Sequence, residues 1–234
     1  MCDVYYAIGD IHGELSKLRN LHERISAHHA EHFAALSHTR IHLGDYVDRG
    51  PNSCGVIDYI KELSLNDDFQ VINLKGNHEV LMTEAQTSIR ATALNHWLVN
   101  GGEEALRSYD NVPDKSSVEA HIKWIKTLPS IYIDECKNLV FVHAGIDPET
   151  FPDCTEDIHM WTRNAAFFQS EHWTNPALAN TIVIHGHTPT LTDYPDISRD
   201  GRRINIDTGA CYGGPLSAVV LAPNTKPYFI FHDQ

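Results

Sequence analysis

The chain has 234 residues, 42% of them apolar, which is enough to bury one large core. A single domain over residues 1–234 is expected, because no Gly/Ser-rich or Pro-rich linker divides the sequence. The net charge of −13 argues against gripping a nucleic-acid backbone by broad electrostatics, although bound cations would create a local positive site for a phosphate.

No apolar run approaches the roughly 18 residues of a membrane span. Met1-Cys2-Asp3-Val4 opens without the basic stretch and apolar run of a secretion signal. Five cysteines occur, Cys2, Cys54, Cys136, Cys154 and Cys211, an odd number without a CxxC pair. A disulfide framework is therefore not expected, and a reducing compartment is. Cys54, Cys136 and Cys211 read as small packing residues. The expectation is a cytoplasmic protein with no nucleic-acid and no membrane partner.

In chain order, Val4–Ile8 reads as a strand stopping at Gly9-Asp10, and a helix follows from about Glu14, with Leu15, Leu18, Leu21 and Ile25 at helical spacing. Ile41–Leu43 reads as a strand ending at Gly44-Asp45. The next helix is capped by Asn52 or Ser53 and carries Val56, Ile57, Ile60 and Leu63 on one side. Val71–Leu74 is a third strand, ending at Gly76-Asn77. This strand–loop–helix rhythm points to βαβ units. Helical pattern then runs from about Glu79 to Leu128 and stops at Pro129. The second half carries strand patterns at Ile131–Ile133, Leu139–Val142, Ile182–Ile184, Ile204–Ile206, Ala218–Leu221 and Tyr228–Phe231. The expected fold is α/β: two mixed sheets packed together, with helices outside. The histidines clustered between His22 and His42, including His28, His29 and His32, read as a solvated helix face rather than an accessory metal site.

Chemistry-bearing residues fall just after strands. Asp10 and His12 follow the first, Asp45 and Asp48 the second, Asn77 and His78 the third. His143 follows Leu139–Val142, and His187 follows Ile182–Ile184. Ligand sites of open α/β sheets collect at such strand ends. Asp, Asn and His together offer oxygen and imidazole donors without thiolate, which suits Mn²⁺, Fe or Zn²⁺. One carboxylate can bridge two metals about 3.5–4 Å apart.

Gly9-Asp10-Ile11-His12-Gly13, Gly44-Asp45-Tyr46-Val47-Asp48-Arg49-Gly50 and Gly76-Asn77-His78-Glu79 resemble the three signature blocks of the phosphoprotein phosphatase family, within the calcineurin-like metallophosphoesterases. His143-Ala144-Gly145 and Gly186-His187-Thr188 resemble its two later histidine blocks. The likeness covers residues from about Val4 to Leu221. Asn95–Gly102, Trp161-Thr162-Arg163 and Ile206–Ala210 resemble segments of the small lambda-type serine/threonine phosphatases.

The resemblance implies a calcineurin-like sandwich and two divalent metal ions, with Mn²⁺ first in line. Asp10, His12 and Asp45 would hold one ion, and Asp45, Asn77, His143 and His187 the other. His185, before the Gly-His-Thr block, reads as structural. Pro189 stands where wider relatives carry a further histidine, as in the phosphoprotein phosphatase branch, and Lys75 keeps the charge of a common arginine. Arg49 and Arg163 would clamp phosphoryl oxygens. His78, oriented by Asp48, would protonate the leaving oxygen as water attacks phosphorus directly. No serine or cysteine sits in a nucleophile motif, so no phosphoenzyme is expected.

The expected activity is hydrolysis of phosphate monoesters, with phosphoserine and phosphothreonine in proteins as first substrates. The alternative is a dinucleoside polyphosphate hydrolase acting on diadenosine tetraphosphate. A non-catalytic scaffold on the same fold ranks last, because all six proposed ligands, His78 and both arginines are present.

Overall fold

The computed structural model describes residues 3–65, 68–112 and 116–233; Cys2 lies outside the described residues. Two five-stranded sheets pack face to face, as expected. The first sheet contains β1 (Val4–Ile8), β2 (His38–His42), β3 (Gln70–Asn73), β9 (Ser217–Leu221) and β10 (Tyr228–Phe231). The second contains β4 (Ile131–Asp134), β5 (Leu139–Val142), β6 (Ile182–His185), β7 (Asp196–Ile197) and β8 (Arg203–Asn205).

Each sheet is parallel at its centre and antiparallel at its margins. β1, β2 and β3 run parallel, while β9 and β10 add antiparallel beside β1. β5, β6 and β8 run parallel, flanked by antiparallel β4 and β7.

Strand alternation builds the layers. Tyr5 and Ala7 of β1, with Ile41 of β2, face the second sheet, where they meet Phe141, Ile184, Ile204 and Ile206. Val4, Tyr6 and Ile8 face the opposite way, onto α1 (Leu15–His32) and α2 (Ser53–Leu63), with Leu18, Leu21, Ile25, Val56, Ile57 and Ile60. On the far side of the second sheet, Val140, Val142 and Val183 are covered by Phe151, Phe167, Trp173 and Leu178.

The helical insert resolves into α3 (Asn77–Thr87), α4 (Ala91–Trp97), a π-helical turn Leu98–Gly102, α5 (Glu103–Asp110) and α6 (Ser116–Ile125). Two short helices, α7 (Glu156–Trp161) and α8 (Ala165–Phe168), follow β5. Asn52 caps α2 by accepting from the Gly55 N–H, at 3.0 Å. No helix of the described residues is long and apolar enough to cross a membrane.

Several sequence readings need correction. β2 begins at His38, not Ile41, because polar His38, Thr39 and Arg40 pair with β1 and pack under α1 and Phe69. The histidines of residues 22–42 are not uniformly solvated. His22 is 2% exposed and His42 fully buried, whereas His32 lies open. Tyr59 O–H, His22, His42 and Asn73 form one chain of contacts at 3.1, 3.1 and 2.7 Å. Cys54 packs in the core, but Cys136 is exposed on the β4–β5 turn and Cys211 is half-buried. The four described cysteines are unpaired.

Candidate metal centre

The parallel strands of both sheets end at one edge of the sandwich, and the polar residues that follow them converge there. Asp10 and His12 leave β1, Asp45 leaves β2, and Asn77 opens α3 after β3. His143 leaves β5 and His187 follows β6. All six are buried. The turns that aim them are tight. His12, Asp45, Asp48, Arg49 and His187 all adopt positive φ, between 44° and 72°, a region non-glycine residues seldom occupy. Gly186 is needed here because a Cβ would run into the Asp10 carboxylate.

Asp45 lies between two donor groups. Its Oδ2 stands 3.4 Å from His12 Nε2, and its Oδ1 stands 3.4 Å from His143 Nε2. One set of potential ligand atoms comprises His12, Asp45 and His78; the other comprises Asp45, His143 and His187; within each set the atoms lie within 4.8 Å of one another. Asn77 Oδ1 joins the second set, 2.9 Å from His143 Nε2 and 2.8 Å from His187 Nδ1. Asp10 accepts from the His187 backbone N–H at 3.0 Å, tying the first sheet to the second.

Backbone carbonyls fix the imidazoles. His12 Nδ1–H donates to Val47 O at 2.8 Å, and His143 Nδ1–H donates to Leu43 O at 3.1 Å. A carbonyl only accepts, so each ring carries a proton on Nδ1 and turns its Nε2 to the centre. The Asp45 loop is itself held by Glu79. This buried carboxylate accepts from the backbone N–H groups of Asp45, Tyr46 and Gly76 at 2.8, 2.8 and 2.9 Å.

Electrostatics fit a cation. Burial, then the neighbouring Asp207 charge, push the Asp10 carboxyl well above its usual range. Burial likewise pushes Asp207 up to about 6. Burial opposes a charged His143, yet Asp45 and Asp10 hold its proton up to about 9. Burial also opposes a charged Asp45, and the His143 and His78 charges overrule it, holding that carboxyl well below the usual range. Carboxylates crowded together, with imidazole and amide oxygen beside them, are a donor set that suits divalent cations.

Beside the centre, His78 Nδ1 meets Asp48 Oδ2 at 2.7 Å, and Trp97 Nε1–H donates to Asp48 Oδ1 at 2.8 Å. Arg49 reaches His12 Nε2 at 2.6 Å, and Arg163 Nε–H donates to His187 Nε2 at 3.2 Å. The Arg49 N–H donates to Gly101 O in the π-helical turn, so the insert braces that arginine. The structure thus brings together all ten residues singled out by the sequence. His185 points elsewhere: its Nε2 accepts from Arg203 at 3.1 Å and its ring packs on Phe167.

No role for Glu79, Trp97, Asp207 or Tyr212 is legible from the sequence alone. Glu79, Trp97 and Asp207 fall in recognised blocks, but only folding shows what they touch. Trp161 is 38% exposed beside His187.

The chain belongs to the calcineurin-like phosphoesterase family, whose pattern it matches over residues 5–226. That is a family of metallophosphoesterases, hydrolases that use a binuclear divalent metal centre. It is 32% identical over 157 residues to the symmetrical bis(5'-nucleosyl)-tetraphosphatase of Shigella dysenteriae, covering 65% of this chain and 48% of that protein. The chain thus spans about half the length of that relative. It is 24% identical over 245 residues to the asymmetrical bis(5'-nucleosyl)-tetraphosphatase PrpE of Bacillus cereus, covering 96% of each. Among solved structures, one assigned as a diadenosine tetraphosphatase superposes with TM-score 0.68 at 22% identity, over 99% of this chain and 94% of that one. The cold-active protein-tyrosine phosphatase of a Shewanella species superposes with TM-score 0.70 at 17% identity, over 100% and 79%.

Proposed function

We propose that this chain hydrolyses dinucleoside polyphosphates such as diadenosine tetraphosphate, using two divalent cations. The phosphatase chemistry rests on one observation: Asp45 turns a separate oxygen to each of two buried donor groups. The substrate rests on the relatives, two of which carry that activity in their names. This reverses the order reached from the sequence, where phosphoprotein stood first.

Asp10, His12 and Asp45 are the proposed ligands of one ion, and Asp45, Asn77, His143 and His187 of the other. Mn²⁺ is the first candidate, with Fe and Zn²⁺ suited to the same donors. Bound there, the ions would supply Lewis acidity and a water activated near neutral pH. Arg49 and Arg163 approach from opposite halves of the centre and bind phosphoryl oxygens through charge-assisted hydrogen bonds. His78 delivers a proton to the leaving oxygen, with Asp48 holding Nδ1 and Trp97 holding Asp48.

A second reading, phosphoserine or phosphothreonine hydrolysis, draws support from that last arrangement. A phosphate leaving from an anhydride departs as a stable anion, whereas an alkoxide must be protonated as it leaves. A well-braced acid is worth more for the second. The Mn²⁺-loaded protein should be assayed against diadenosine tetraphosphate and against phosphoserine, phosphothreonine and phosphotyrosine peptides. The dinucleotide is expected to show the highest kcat/KM. An inert dinucleotide beside a rapidly cleaved phosphopeptide overturns the proposal and installs the second reading.

A further inference from the structure

Two large aromatic side chains beside the centre are left open to solvent. Tyr212 is 66% exposed and Trp161 is 38% exposed, although most aromatics of this chain are packed away. Each is tied to a different half of the centre. The Arg49 guanidinium lies over the Tyr212 ring at 5.5 Å from its centroid, and that same guanidinium touches His12. The Trp161 ring stands edge-on to His187 at 6.4 Å, and Arg163, two residues further on, bonds the same imidazole. Each proposed phosphate clamp therefore has an exposed aromatic face next to it.

Both rings sit on backbone that is held in place. Tyr212 ends a short helical turn, Ala210–Tyr212, entered through Gly209 and left through Gly213, both at positive φ. Lys17 Nζ fastens that loop by donating to Ala210 O and Gly214 O, each at 2.8 Å. Trp161 closes α7, whose Thr162 N–H donates back to Ile158 O. Leaving an aromatic in water forfeits burial that each could have gained. Exposure on a braced loop beside a cationic clamp is the arrangement that receives a flat ring carrying a phosphate.

We infer that Tyr212 and Trp161 are nucleobase-stacking residues, one for each nucleoside of a dinucleoside polyphosphate whose phosphate chain lies across Arg49 and Arg163. This deepens the dinucleoside reading and rests on it. Stacking on an aromatic side chain tolerates any base, because each base offers a π-face. The two rings would therefore select for nucleosides at the ends of the phosphate chain without choosing among bases.

The test compares diadenosine tetraphosphate with inorganic tetraphosphate, which has the same anhydride chain and no bases. The readout is the ratio of their kcat/KM values on the Mn²⁺-loaded protein. Tyr212→Leu and Trp161→Leu are each expected to lower that ratio about tenfold, the order of one lost base stack, while Tyr212→Phe and Trp161→Phe hold it near wild type. Independently, ADP titrated into the protein should quench indole fluorescence, and Trp161→Phe should remove that quench. An unchanged ratio in both leucine variants overturns the inference. So does an equal loss on both substrates, which would mean the rings act only through the arginines. A wild-type enzyme that ignores diadenosine tetraphosphate overturns the parent reading instead, and is recognised before any variant is made.

Discussion

Asp45 is the residue on which both halves of the centre depend, since His12 and His143 approach different oxygens of one carboxylate. Asp45→Asn keeps the shape and removes the charge. Metal content is expected to fall below two ions per chain, with affinity weakened by roughly tenfold or more, as for disturbed metal sites generally. Elemental analysis showing two tightly held ions in that variant would refute the bridging role. Trp97 acts one step further out. Trp97→Phe leaves Asp48 Oδ1 without its indole donor in a buried place. Losing a hydrogen bond to a charged group costs about 1.5–3 kcal/mol, so the denaturation midpoint should drop while the metals stay. kcat/KM should fall further for an alkyl phosphate than for p-nitrophenyl phosphate, because only the alkoxide needs the proton that Asp48 positions on His78. Equal losses on the two substrates would remove Trp97 from the proton path. Nine of the ten site residues were legible because they follow strands in short blocks with glycine nearby, whereas Arg163, just after α7, was legible only through the block Trp161-Thr162-Arg163. Trp97 was not legible as a partner of Asp48, because the two lie 49 positions apart and meet only through the packing of the insert.

At the level of elements, the join between α1, α2 and the first sheet carries an unusual chain of imidazoles. Tyr59 O–H donates to His22 Nδ1, His22 Nε2–H donates to His42 Nε2, and His42 Nδ1–H donates to Asn73 Oδ1. Every group is satisfied only when both rings are neutral. Burial lowers the affinity of His42 for a proton from 6.5 to about 4, and burial with the His42 charge lowers that of His22 well below its usual value. The unfolded chain therefore takes up these protons first, and stability falls as pH drops below 6.5. For His42 alone the loss at pH 5 is about 2 kcal/mol, from 1.36 kcal/mol per pH unit. The gap in unfolding free energy between wild type and His42→Gln should shrink by about that amount between pH 7 and pH 5. A gap independent of pH would show that His42 is not buried neutral. These histidines looked like a wet helix face in the sequence because residue type predicts exposure only on average. Their burial needs partners from β2, β3 and α2, and no local pattern announces those. The start of β2 was hidden for the same reason, since His38-Thr39-Arg40 is polar and yet inside the sheet.

Across the whole molecule, the proposed ligands come from both sheets, so bound ions would pin the sandwich together. Ions held at 100 times their dissociation constant add about 2.7 kcal/mol per site to the folded state. Chelation should lower the melting temperature, and Mn²⁺ should restore it in a concentration-dependent way. An unchanged melting temperature after verified metal removal would argue that the two sheets close without them. The architecture itself was open to sequence reading, because β1 and β5 are short unbroken apolar runs, buried on both faces, and glycine marks the strand ends. The relative ranking of substrates was not, since the shared blocks build the metal centre that both proposed activities would use.

The order of the ligands along the chain has a consequence for biosynthesis. Asp10, His12 and Asp45 are all made within the first fifth of the polypeptide, whereas His143 and His187 arrive much later and on the other sheet. His143 is also oriented by the carbonyl of Leu43, which belongs to the earlier half. On the proposed assignment, a nascent chain emerging from the ribosome would thus carry the three ligands of one ion long before it carried those of the other. The second ion would have to wait until His143 and His187 have been made and their sheet has docked.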